Sequence, residues 1–125
     1  MKVSFDFDET LSFKSVQEYA KELIEKGIEV HIVTSRYENR DDYDFVWENG
    51  HNDLFKVADN LGIPRENIHF TNMEDKFHFF LDKDFIWHLD DNNVELLCIN
   101  INTKTKGIDR VKSNWKQKCE ELISK

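Results

Sequence analysis

Short apolar runs of strand length alternate with stripes of helical period along this 125-residue chain, and that alternation confines it to few folds. Lys2 to Phe7 reads as a strand. Val16, Tyr19, Ala20, Leu23 and Ile24 then recur at i, i+3, i+4, i+7 and i+8, one face of a helix that Gly27 stops. Val30 to Val33 is a second, β-branched strand, followed by a polar loop from Tyr37 to Asp44 and a short helix at Phe45 to Trp47. Leu54 to Leu61 forms another helical stripe, closed by Gly62 and Pro64. Ile68 to Phe70 is a strand, and Met73, Phe77, Phe80 and Leu81 suit a third helical segment. Phe85 to Leu89 and Leu96 to Ile101 read as the fourth and fifth strands. Ile108, Val111, Trp115, Cys119 and Leu122 form the last helical stripe. Strands alternating with helices predict an α/β fold with a mainly parallel sheet covered on both faces. No repeat, low-complexity tract or linker divides the chain, so residues 1–125 are expected to form a single domain.

Composition narrows the partners. Seventeen basic against 25 acidic residues give a net charge of −8, which argues against non-specific nucleic-acid binding and against anionic membranes. With 39% hydrophobic residues and one proline, the chain can pack a core of its own. Cys98 and Cys119 are too few and too scattered for a disulfide framework. No apolar run reaches the roughly 20 residues of a membrane span, and the first one is interrupted by aspartate. A cytoplasmic location is the expectation.

In parallel sheets, chemistry gathers at the carboxyl ends of strands. Those ends carry Asp6 and Asp8, then Thr34-Ser35-Arg36, then Asp90-Asp91. Three or four carboxylates at one edge repel and raise one another's pKa values unless a cation sits among them. Aspartate oxygens, with no Cys or His at ligand spacing, point to Mg²⁺, which takes few carboxylates and accepts phosphate oxygens.

These motifs resemble those of the haloacid dehalogenase-like phosphatases. Val3-Ser4-Phe5-Asp6-Phe7-Asp8-Glu9-Thr10-Leu11 is similar to their first motif, Val30 to Thr34 to their second, and Phe85 to Asp91 to their fourth. Lys76 best fits the lysine of the third, with Lys83 as the alternative. Glu9 stands where many relatives have glycine. The resemblance implies a Rossmann-like three-layer sandwich with a five-stranded sheet. It implies Asp6 as nucleophile, Asp8 as general acid and base, and Thr34 and Lys76 as phosphate-stabilising groups. Mg²⁺ would be held by the Asp6 side chain, the Asp8 backbone carbonyl and Asp90, with Asp91 nearby. Such an enzyme hydrolyses a phosphomonoester through an aspartyl-phosphate.

The chain has no room for a large cap, which in this family suits a macromolecular end or a partner-supplied cap; nucleotides and nucleic-acid ends are both candidate substrates. A non-hydrolytic Mg²⁺-binding phospho-acceptor module is the rival from another class. Ser35 and Arg36 are substrate-binding candidates. Arg36 reads either as a reach toward a second phosphate or a base, or as a solvated loop arginine, and Arg40 is a poorer choice. Tyr37, Tyr43 and Trp47 are positioned to stack on a base, although Trp47 reads more simply as core. His88 shares parity with Asp90 and reads as a core or supporting residue. Seven basic against three acidic residues from Lys104 onward read as the solvated face of a surface helix. Cys98 reads as an inert thiol on a central strand.

Overall fold

The computed structural model describes residues 1–38 and 50–125. Five strands, β1 (Lys2–Phe5), β2 (Glu29–Thr34), β3 (Ile68–Phe70), β4 (Phe85–Asp90) and β5 (Lys106–Asp109), form one sheet in the order β3-β2-β1-β4-β5. Every neighbouring pair is parallel. Helices α1 (Lys14–Glu25), α2 (Asn52–Leu61), α3 (Phe77–Phe80), α4 (Asn93–Asn102) and α5 (Trp115–Ile123) cover it. The fold is α/β, a Rossmann-like three-layer sandwich. The expected helix at Phe45 to Trp47, together with Arg40, Tyr43 and Trp47 as candidate residues, lies outside the described residues. None of the described helices is long and apolar enough to cross a membrane.

The two faces of the sheet differ in chemistry because side chains alternate along each strand. Val3, Phe5, Ile32, Trp87 and Leu89 pack with Tyr19 and Leu23 of α1, Leu54 and Ala58 of α2, and Cys119 of α5. Trp87 anchors this side: it stacks on Tyr19 at 6.3 Å, meets Phe5 edge-on at 5.3 Å, and donates its indole N–H to the Cys119 carbonyl. The other face holds Val33, Phe80, Phe85 and Ile99, beside the buried polar side chains Ser4, His31 and His88. A register shift helps to build it. Lys2 pairs with Phe85 but Ser4 with His88, so β4 carries one extra residue there and both Phe85 and His88 reach Phe80.

Several expectations need correction. Leu96 to Ile101 is not a strand but most of α4. Leu96 and Ile99 are buried while Val94, Leu97 and Ile101 stand 59–71% exposed, so apolar residues on both helix faces erase the period that marks a helix. The fifth strand is Lys106–Asp109, which takes Ile108 out of the last helical stripe; α5 begins at Trp115, and Val111 is exposed. Cys98 therefore sits half-buried on a helix, and the fully buried thiol is Cys119. The third helical segment shrinks to Phe77–Phe80, because Met73 and Leu81 face outward. β1 stops at Phe5, where a wide turn over Phe7–Leu11 takes over.

The join between α4 and β5 depends on Gly107. A Cβ there would fall 2.9 Å from Leu96 Cδ2 and 3.0 Å from the Leu96 carbonyl oxygen. Backbone cannot yield as a side-chain tip can. Gly107→Ala is expected to cost about 1–3 kcal/mol, measured by urea unfolding.

A second stability prediction concerns pH. His31 and His69 stack at 5.2 Å and share a 2.9 Å hydrogen bond, and the other His31 nitrogen meets Glu29. Burial, then the nearby charges of His31, Lys83 and Lys2, push His69 down to about 4. The unfolded chain, with an ordinary histidine near 6.5, then binds the proton more tightly than the folded one. Stability is therefore lost as pH falls from about 6.5 to about 4. His69→Phe is expected to flatten that decline in urea midpoints taken across this window.

Candidate active site

The chain leaves β1 toward α1 on one face of the sheet and leaves β4 toward α4 on the other, although the two strands are neighbours. Their carboxyl ends therefore flank a crevice at a topological switch point. Asp6 follows β1 directly and is tied to β4 by its backbone N–H, which donates to the Leu89 carbonyl at 2.8 Å. Asp90 closes β4 and Asp91 follows it. The crevice is an open cavity of about 180 Å³ lined by Asp6, Asp8, Glu9, Ser35, Lys76, Asp90, Asp91 and Asn92. A larger depression of about 430 Å³ lies between the α3–β4 loop and the end of α4, away from this edge, and gathers no such set.

Lys76 organises the floor. It is 1% exposed, and its ammonium donates to Asp6 Oδ1 at 2.8 Å and to Asp90 Oδ2 at 2.6 Å. Lys83 instead donates to the Phe79 carbonyl four residues before it and lies over the Phe79 ring. Below Lys76 the network continues inward. His88 Nε2 donates to Asp90 Oδ2 at 2.8 Å, and His88 Nδ1 accepts from the Ser4 hydroxyl at 2.8 Å. These roles follow from Asp90 being an acceptor, and they suit a neutral imidazole, since burial pushes His88 down. Asp90 Oδ1 accepts from the Asn92 backbone N–H, and the Asn92 side chain caps α4 through the N–H groups of Val94 and Glu95.

Charge is unevenly satisfied here. Burial raises Asp6 well above the ordinary carboxylate range, and Lys76 offsets only part of this. Burial also works against ionised Asp90, but His88 and Lys76 outweigh it and hold that carboxyl well below the usual range. Asp91 is raised, first by burial and then by its neighbour Asp90. For Lys76, the two carboxylates overcome burial and raise the ammonium. Among the described residues, one ammonium thus stands beside three acids and bonds two of them, Asp6 and Asp90, which leaves this group short of positive charge. Ligand oxygens of Asp6, Asp90 and Asp91 lie within 4.8 Å of one another. An all-oxygen set with a deficit of cation fits Mg²⁺.

The remaining sequence candidates fall differently. The Asp8 carboxylate does not join the three-acid group: it borders the cavity and accepts two hydrogen bonds from Arg36. The turn that carries it places Glu9 at φ 60°, a left-handed conformation that glycine adopts without strain. Thr34 is fully buried, and its hydroxyl accepts from the Arg36 backbone N–H at 3.3 Å; the residue of this strand end that lines the cavity is Ser35. Arg36 is not a solvated loop residue: it is 3% exposed and forked onto Asp8 and Asp53. Sequence reasoning missed Asp53, and no local pattern marks it; Ser4 was also missed, although it shares the first motif. Comparison with family models, curated proteins and solved structures finds no significant match.

Proposed function

We propose that this chain is a Mg²⁺-dependent phosphatase that hydrolyses a phosphomonoester through an aspartyl-phosphate on Asp6. The observation that carries the reading is the convergence of Asp6, Asp90 and Asp91 at the carboxyl edge between β1 and β4, with Lys76 bonded to the first two. Lys76 holds Asp6 Oδ1, so Oδ2 is the oxygen left to attack phosphorus. The P–O bond to the leaving group breaks as the Asp6–phosphorus bond forms, and Asp8 protonates the departing alkoxide. Water then attacks the acyl phosphate, Asp8 takes its proton, and Asp6 and inorganic phosphate are released. Mg²⁺, held by Asp6, Asp90 and Asp91 together with the Asp8 backbone carbonyl, would supply the charge that lets an anionic phosphate approach an anionic nucleophile. Lys76 and the Ser35 edge flank the phosphoryl oxygens.

The open mouth of the cavity suits a substrate larger than the phosphate itself, a nucleotide or a phosphorylated nucleic-acid end. We place the enzyme in the reducing cytoplasm, since Cys98 and Cys119 are unpaired. The test is hydrolysis of p-nitrophenyl phosphate. Turnover is expected with Mg²⁺ and none with EDTA. A stable phospho-form without phosphate release would instead favour the phospho-acceptor module, and absence of both would end the reading. A panel of mononucleotides, 3′-phosphorylated oligonucleotides and phosphopeptides then ranks substrates.

A further inference from the structure

We propose that Arg36 and Asp53 form a positioning device that aims the Asp8 carboxylate into the cavity, an inference that rests on the phosphatase reading. Among the described residues, the side-chain hydrogen bonds to the Asp8 carboxylate come from Arg36. It sits at φ −65° and ψ 129° within the turn, beside Glu9 at φ 60°, so no helix or strand directs its side chain. Its carboxylate is 44% exposed, and an exposed aspartate on such a turn samples several rotamers. The Arg36 fork removes that freedom. Nε donates to Asp8 Oδ2 at 3.0 Å and Nη2 to Asp8 Oδ1 at 2.7 Å, so both oxygens are fixed in one plane.

Arg36 is fixed in turn. Nη1 and Nη2 donate to Asp53 Oδ1 and Oδ2 at 2.9 and 2.8 Å, and the guanidinium lies 5.0 Å from the centre of the Phe7 ring. Asp53 belongs to the first turn of α2, where its Oδ1 also accepts from the Leu54 backbone N–H at 2.8 Å. A line of bidentate contacts therefore runs from the first turn of α2, through a buried guanidinium, to an acid at the cavity wall. The geometry of a planar fork shared by two carboxylates belongs to arginine; a lysine ammonium cannot reproduce it.

Positioning of a proton donor has a kinetic signature that a purely structural role lacks. A nitrophenolate departs without needing a proton, whereas an alkoxide departs only as it is protonated, and a well-placed acid contributes roughly 10²–10⁴-fold there. Loosening the acid should therefore cost alkyl phosphates more than aryl ones. The experiment compares kcat/KM for p-nitrophenyl phosphate and for glycerol 2-phosphate, both with Mg²⁺, in wild type, Asp53→Asn and Arg36→Lys. Asp8→Asn sets the upper limit of the effect. The ratio of aryl to alkyl activity is expected to rise about 10–100-fold in Asp53→Asn and in Arg36→Lys, with melting temperatures recorded alongside. An unchanged ratio in Asp53→Asn, an exposed residue whose replacement leaves the core intact, overturns the proposal while wild-type turnover keeps the phosphatase reading. No hydrolysis of either substrate by the wild type overturns both.

Discussion

Asp6→Asn is expected to reduce Mg²⁺-dependent hydrolysis of p-nitrophenyl phosphate by about 10⁵-fold or more, to the background rate. An amide oxygen is a poor nucleophile, and the acyl-phosphate route closes with it. The same substitution should leave the fold intact or strengthen it. Burial already pushes Asp6 far above the ordinary carboxylate range, so the protein carries an unfavourable buried charge at this position. Asparagine keeps the shape, still offers Lys76 an oxygen, and leaves one ammonium with one fewer buried acid. Loss of turnover with an equal or higher melting temperature is the expected pair of results, the pattern of a residue kept for chemistry at a cost in stability. Wild-type turnover in Asp6→Asn would remove the nucleophile from Asp6.

Lys76→Met is expected to lose both activity and stability. Methionine keeps an unbranched stem one atom shorter than lysine but leaves Asp6 and Asp90 facing each other without that ammonium, at 8% and 1% side-chain exposure. Breaking a buried ion pair from one side costs about 3–5 kcal/mol. A domain of this size loses roughly 3–6 °C per kcal/mol, so the melting temperature should fall by about 10–30 °C. Mg²⁺ should restore more of the melting temperature in the variant than it adds to the wild type. A cation bound only by the folded state stabilises it by mass action, and removing the ammonium makes the three-acid group a better cation receptor. Lys83→Met, by contrast, removes a hydrogen bond to the Phe79 carbonyl and a contact with its ring, and should leave the site untouched. If Lys76→Met melts within two or three degrees of wild type and gains nothing from Mg²⁺, the buried network does not hold the site together.

Much of the fold was legible in the chain because its central strands announce themselves. β1, β2 and β4 combine apolar residues with an abrupt polar end, and all three were placed to within two residues. The C-terminal third was not, and the reason lies in α4. Its exposed Val94, Leu97 and Ile101 made Leu96 to Ile101 look like a continuous strand. A helix signal was nonetheless present: Asn92 followed three residues later by Glu95 has the spacing of a capping box, and the Asn92 side chain does cap α4. Gly107, read only as one of four glycines, turns out to be where α4 and β5 nearly touch.

The candidate site divides along the same line. Asp6, Asp8, Asp90 and Asp91 could be picked out because each follows an apolar strand, and strand ends converge wherever strands run parallel. Which acid takes which cation is a different matter. Asp6 and Asp90 share Lys76, whereas Asp8 shares Arg36 with Asp53, and these partners are 14 to 70 residues apart in sequence. The sequence by itself determined the alternation of elements, the parallel sheet and the collection of acids at one edge, because these follow from local period and from residue type. Only the tertiary structure decided the pairing of charges. Pairing depends on which side chains the sheet order brings within about 3 Å, and on which of them burial leaves without water, and neither quantity exists until the strands have assembled.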